Sequence, residues 1–100
     1  MAKRHKLNDA QIAKRLSALP KWKLAKAKLH REYKFTDFVQ AFGFMSSAAL
    51  VAESMNHHPE WFNVWATVTI DLNTHDAGGI TELDFTLAER MEKIASALGQ

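Results

Sequence analysis

One hundred residues, 47% hydrophobic and 24% charged, suit one small folded domain rather than a disordered or repetitive chain. The absence of cysteine excludes disulfides, thiolate nucleophiles and Cys-type zinc sites, and no apolar run approaches the ~20 residues of a bilayer span. A net charge of +2 conceals an asymmetry: residues 1–34 hold eleven Lys and Arg against Asp9 and Glu32, whereas residues 35–100 hold Arg90 and Lys93 against nine acids.

The basic start at residues 1–6 leads into no apolar segment, so no secretory leader is expected and the default location is the cytoplasm. Asn8 and Gln11 then stand in capping-box spacing, Ile12, Leu16 and Leu19 supply an apolar stripe, and Pro20 ends this first helix. Two strand-like runs follow at residues 22–24 and 29–35. In the second, Leu29, Arg31, Tyr33 and Phe35 share one face. The basic residues of 21–34 alternate with Leu, Ala and Tyr, as on a solvated strand face, which weighs against a nucleic-acid interface. Thr36 is the expected N-cap of a central helix, with Asp37 in its first turn. Phe38, Ala41, Phe42, Met45, Ala48, Ala49 and Ala52 recur at helical spacing and read as core. The helix must stop near Asn56, because Pro59 disfavours a helical His58.

Residues 64–73 alternate with a period of two, Val64, Ala66, Val68, Ile70 and Leu72 on one face, and read as a strand. A hairpin inside this stretch has no Gly or Asn-Gly turn to announce it. Residues 76–79 form a glycine-bearing loop. Thr81 caps the last helix, whose stripe is Leu83, Leu87, Met91, Ile94, Ala95 and Leu98, with Gly99 beyond its end. The order of helices and strands gives an α+β domain with helices on an antiparallel sheet.

Three of the five histidines fall at element ends, where functional side chains concentrate. His57 and His58 close the central helix and His75 follows the long strand. Glu53 lies four residues before His57, close enough on a continuing helix to fix its tautomer; Asp76 and Asp84 flank His75. A three-imidazole metal site is one reading, although adjacent ligands diverge and no HxH or HxxxH spacing is present. A structural role at a helix C-terminus is a second. Metal-free acid/base catalysis is the third, and chemistry alone does not separate it from the structural one. Trp61, Phe62 and Trp65 could stack on a flat heterocycle or simply pack.

Residues 53–64 read ESMNHHPEWFNV, residues 74–81 read THDAGGIT, and Asp84 follows. Together with FTDFVQAFGF at residues 35–44 and Trp22 in the first strand, this resembles the pterin-4a-carbinolamine dehydratase family, from about Trp22 to Leu98. The resemblance implies one domain over residues 1–100, with a four-stranded antiparallel sheet and three helices in the order α-β-β-α-β-β-α. Residues 61–72 would then supply two strands. It also implies homodimers or homotetramers built through sheet edges and helices.

The implied activity is dehydration of 4a-hydroxytetrahydrobiopterin to quinonoid dihydropterin, recycling the cofactor of aromatic amino-acid hydroxylases, with no metal or organic cofactor. The family's active-site histidines map onto His57, His58 and His75 and its carboxylates onto Glu53 and Asp84. Trp22 corresponds to an aromatic of the pterin pocket, and substrate contacts are expected from His58, Trp61, Thr74 and Asp76 as well. His57 and His75 are expected to exchange protons, His58 to bind, and Glu53 to orient His57. Trp65 departs from the tyrosine of many relatives. A different function, that of a non-catalytic transcriptional coregulator or assembly chaperone of the same fold, would not require the three histidines, and all three are present.

Overall fold

The computed structural model describes residues 5–100; residues 1–4, part of the basic start, lie outside the described residues. Helix α1 (Asp9–Leu16) begins at Asn8, whose side chain accepts the Gln11 N–H while the Gln11 side chain accepts the Asn8 N–H. Strands β1 (Lys23–Ala25) and β2 (Lys28–Lys34) form a hairpin whose two turn residues, Lys26 and Ala27, are both left-handed at φ 52° and 62°. This is the twist-matched geometry of a two-residue loop. Helix α2 (Phe38–Met55), strands β3 (Glu60–Val64) and β4 (Thr67–Leu72), a 3₁₀ turn (His75–Ala77) and helix α3 (Glu82–Ala97) complete the chain.

The sheet order is β1-β2-β4-β3, every pair antiparallel. Leu29 faces Leu72, Arg31 faces Ile70 and Tyr33 faces Val68, so one face of β2 and β4 is buried. Helices α2 and α3 pack on each other, and α2 also contacts β4. Tyr33, Phe35 and Phe44 form a ring cluster with centroids 5.0 to 5.6 Å apart in its middle. The expected four-stranded antiparallel sheet with three helices, in the order α-β-β-α-β-β-α, is therefore the observed fold.

Three local expectations are corrected. The cap of α2 is Asp37 rather than Thr36: its carboxylate accepts the Gln40 N–H, and the Gln40 side chain accepts the Thr36 N–H. The buried face of α2 is Ala41, Phe44, Ala48 and Ala52; Phe38, Phe42 and Ala49 are exposed, with the Phe38 and Phe42 rings 5.8 Å apart on the outside. The alternating stretch at 64–73 is the last residue of β3, a turn and β4, so that residues 60–72 supply two strands, as the resemblance implied for 61–72. The chain reverses at Trp65, held at φ 49°. That reversal pairs Val64 with Thr67 and turns Val64 outward, away from the Val68 face.

With 18 residues and a mean hydropathy of 1.2, α2 is the one helix among the described residues long and apolar enough to cross a membrane by length and composition. The sequence alone led to no expectation of such a stretch. Here the face from Ala41 to Ala52 lies in the core, as in an ordinary core helix.

Candidate active site

The site is assembled by the way α2 stops. Asn56 takes the left-handed conformation (φ 50°, ψ 42°) and returns its N–H to the carbonyls of Ala52 and Glu53, while the His57 N–H bonds Ala52 at 3.0 Å. Asparagine tolerates this conformation better than most residues. The consequence is that two consecutive histidines diverge. His57 turns inward and is 6% exposed, whereas the His58 side chain is 59% exposed.

Each finds a different carboxylate. His57 Nε2 lies 2.6 Å from Asp84 Oδ1, and His58 Nε2 lies 2.8 Å from Glu53 Oε1. The expected Glu53–His57 pair is thus not formed. It required helix through residue 57, and the helix ends at Met55. Asp84, three positions into α3, replaces Glu53 as the partner of His57.

Asp84 is wholly buried. It is the N3 residue of a capping box: its Oδ2 accepts the Thr81 N–H at 2.9 Å while the Thr81 hydroxyl caps the Leu83 N–H. The same Oδ2 accepts the Thr74 hydroxyl at 2.9 Å. Thr74 closes a loop with Gly79 through paired backbone contacts, its N–H reaching the Gly79 carbonyl at 2.8 Å. Left-handed Gly78 (φ 71°) ends the turn. This loop presents His75, exposed, and with the end of α2 it borders one open space.

Between them lies an open cavity of about 240 Å³ lined by His57, His58, His75, Thr74 and Asp76, with Asn56, Glu60 and Asn73 completing it. Glu53 reaches this rim only through His58, and Asp84 stands behind His57. Trp22 and Trp61 are not among the lining residues. Trp22 is buried with its indole N–H donated to Glu92, eight residues and thus roughly 12 Å along α3 from Asp84. Trp61 is half-buried against the core. Asn56, Asn73 and Glu60 were not anticipated as site residues, although an asparagine just before the paired histidines and Pro59 is itself a helix-stop signal. Glu60 bonds Lys28 at 2.5 Å, and that bond holds the Lys28 ammonium above its usual range. Among the described residues, no group of three His, Cys, Asp or Glu converges to hold a metal ion.

The lining therefore joins a buried imidazole–carboxylate pair to two further imidazoles across an open space, which is equipment for giving and taking protons. Comparison with known proteins bears on what would occupy that space. The sequence pattern of the family described as pterin 4 alpha carbinolamine dehydratase matches residues 5–94. A protein of Solibacter usitatus (strain Ellin6076), provisionally named pterin-4-alpha-carbinolamine dehydratase, is 57% identical over 91 residues, covering 91% of this chain and 96% of that one. A protein of Rhizobium leguminosarum bv. trifolii (strain WSM2304) with the same provisional name is 52% identical over 99 residues, covering 97% and 98%.

Among solved structures, a transcriptional coactivator/pterin dehydratase from Brucella melitensis superposes with a TM-score of 0.89 at 43% identity, covering 91% of this chain and 99% of that one. A pterin dehydratase-like RuBisCO assembly factor of the alpha-carboxysome shares the fold, with a TM-score of 0.63 at 23% identity over 74% of this chain and 88% of its own.

Proposed function

Because the chain belongs to the pterin 4 alpha carbinolamine dehydratase family, we propose that it dehydrates a 4a-hydroxytetrahydropterin to the quinonoid dihydropterin, with imidazoles as the acid and the base. The observation that carries this reading is the buried His57–Asp84 pair opening onto a cavity that His58 and His75 also line. At about 240 Å³ the cavity falls just below the roughly 300–1,000 Å³ of sites that enclose drug-sized ligands, which suits a bicyclic head whose side chain projects outward.

In the reaction the C4a–O bond breaks as a C4a=N5 double bond forms. The departing hydroxyl needs a proton and N5 must lose one. A protonated imidazole gives its proton to the hydroxyl, which leaves as water, while a neutral imidazole takes the proton from N5; atoms and charge balance over the cycle. Histidine suits both roles because its unperturbed pKa lies near neutrality. His57 and His75, approaching from the α2 end and from the 3₁₀ turn, are the proposed proton-transfer pair. His58, tethered to Glu53, is the proposed binding residue, with Asp76 beside it.

The test is absorbance-followed dehydration of freshly generated 4a-hydroxytetrahydropterin by wild type, His57→Ala, His75→Ala and the double variant. Positioned acid/base groups are worth roughly 10²–10⁴-fold, so turnover by wild type should fall toward the uncatalysed rate in the double variant. Uncatalysed rates from both proteins would overturn the reading. They would favour a protein-binding role, for which α2 offers exposed Phe38, Val39, Phe42 and Leu50.

A further inference from the structure

Thr74, Thr81 and Asp84 make a chain of hydrogen bonds whose direction is fixed by elimination. Thr74 Oγ1 lies 2.9 Å from Asp84 Oδ2 and 2.7 Å from Thr81 Oγ1. A carboxylate only accepts, so the single Thr74 hydroxyl proton goes to Asp84. The 2.7 Å contact must then be donated by Thr81, whose oxygen meanwhile accepts the Leu83 N–H at 3.2 Å. Both hydroxyls are spent, and all three residues are at most 1% exposed, so no water competes for them. With the Thr81 N–H also on Oδ2, Asp84 has no freedom to rotate and Oδ1 is left facing His57. An acceptor at that place requires the proton on His57 Nε2, which leaves Nδ1 as the ring nitrogen not engaged by Asp84.

We propose that Thr74 and Thr81 are positioning residues. Their relay, Thr81 to Thr74 to Asp84, locks neutral His57 as the Nε2–H tautomer and so offers Nδ1 as its base. The assignment rests on the dehydratase reading only where it touches turnover; the tautomer itself is a property of the resting protein. It also gives Thr74 a task other than substrate contact, since its hydroxyl is consumed inside the protein.

The experiment is long-range ¹H–¹⁵N NMR of the imidazoles above their titration, on wild type, Thr74→Val and Thr74→Ser, with kcat and KM measured alongside. Wild type should show His57 as a single Nε2–H tautomer. Thr74→Val, isosteric but without the hydroxyl, should mix the tautomers and lower kcat by roughly 10- to 100-fold with KM little changed, the scale set by misplacing a reacting group. Thr74→Ser should restore both.

If folded wild type shows His57 as Nδ1–H or as a mixture, the relay is wrong, and this needs no variant to fold. The relay is equally wrong if Thr74→Val keeps both the single tautomer and wild-type kcat. A wild type with the Nε2–H tautomer but no turnover would sink the dehydratase reading and leave the relay standing. Should Thr74→Val not fold, Thr74→Ala, which also removes the hydroxyl without adding bulk, is read by the same two criteria.

Discussion

Glu92 gathers three donors on one carboxylate oxygen: the Trp22 indole at 2.9 Å, the Arg31 guanidinium at 3.1 Å and the Tyr33 hydroxyl. It is the reason a charged residue, Arg31, can occupy the inner face of β2, where its guanidinium also lies 3.9 Å from the centre of the Tyr33 ring. Burial alone would push the Glu92 carboxyl up, but the hydrogen bonds from Tyr33, Arg31 and Trp22 outweigh it and hold the group below its ordinary value of 4.5. A lowered folded pKa stabilises the fold above the unfolded value and loses that contribution as pH falls through the folded one. Glu92→Gln should therefore cost about 1–3 kcal/mol at pH 7, and its deficit against wild type should shrink as urea titrations are repeated below pH 4.5. A deficit independent of pH would remove charge from the account.

Tyr33 titrates the opposite way. Burial first, then Glu92, pushes its phenol well above the usual range, so its contribution is lost as pH rises past the unfolded tyrosine value. At Asp84 the same donor arithmetic gives a sharper expectation. In Asp84→Asn the amide oxygen must stay with Thr81 and Thr74, which turns the NH₂ toward His57 and makes Nε2 an acceptor. The wrong tautomer should lower kcat on the order of 10²–10⁴-fold while leaving KM nearly unchanged. An equal fall in affinity would mean that Asp84 serves binding instead.

At the scale of elements, what was legible in the sequence was local. The capping box at Asn8, the cap at Thr81, the alternation of β2 and the stop before Pro59 each need only a few consecutive residues, and each is present in the fold. The outer face of α2 was not legible, because Phe38, Phe42 and Phe44 are all apolar and periodicity offers little contrast around the helix. The partner of His57 was not legible either, since one left-handed residue, Asn56, decides between Glu53 and Asp84. The hairpins were silent for a related reason: their turns use Lys26, Ala27 and Trp65 at positive φ, where glycine or asparagine would have announced them. Left-handed backbone costs an ordinary residue roughly 1–2 kcal/mol. Replacing Lys26 and Ala27 together by Asn and Gly should therefore stabilise the protein by about 1 kcal/mol, seen as a Tm rise of about 4–8 °C. An unchanged Tm would show that the turn holds no such strain.

For the whole molecule, the large apolar residues left outside, apart from Leu24 on β1, fall into two groups on different sides. Phe38, Val39, Phe42 and Leu50 lie on α2, on the helical side of the sheet; Phe62, Val64 and Trp65 belong to β3 and its turn, with Phe62 and Val64 on the face the helices do not cover. β3 is also a sheet edge with its outer backbone groups open to pairing. Exposed apolar groups of this kind mark association surfaces. Symmetric assembly through one self-complementary surface gives a dimer, and through two distinct ones a tetramer.

The expected result of sedimentation is therefore a tetramer for wild type. Phe42→Glu with Leu50→Lys, and separately Phe62→Lys with Val64→Glu, should each give dimers, and all four together a monomer. A wild-type dimer dispersed by only one pair would assign the interface to that surface and leave the other apolar face free for a different protein. A monomeric wild type would exclude both. Because the histidine cavity is lined within one chain, turnover per chain should survive the helix-face pair, and its loss there would mean that the neighbouring subunit completes the site.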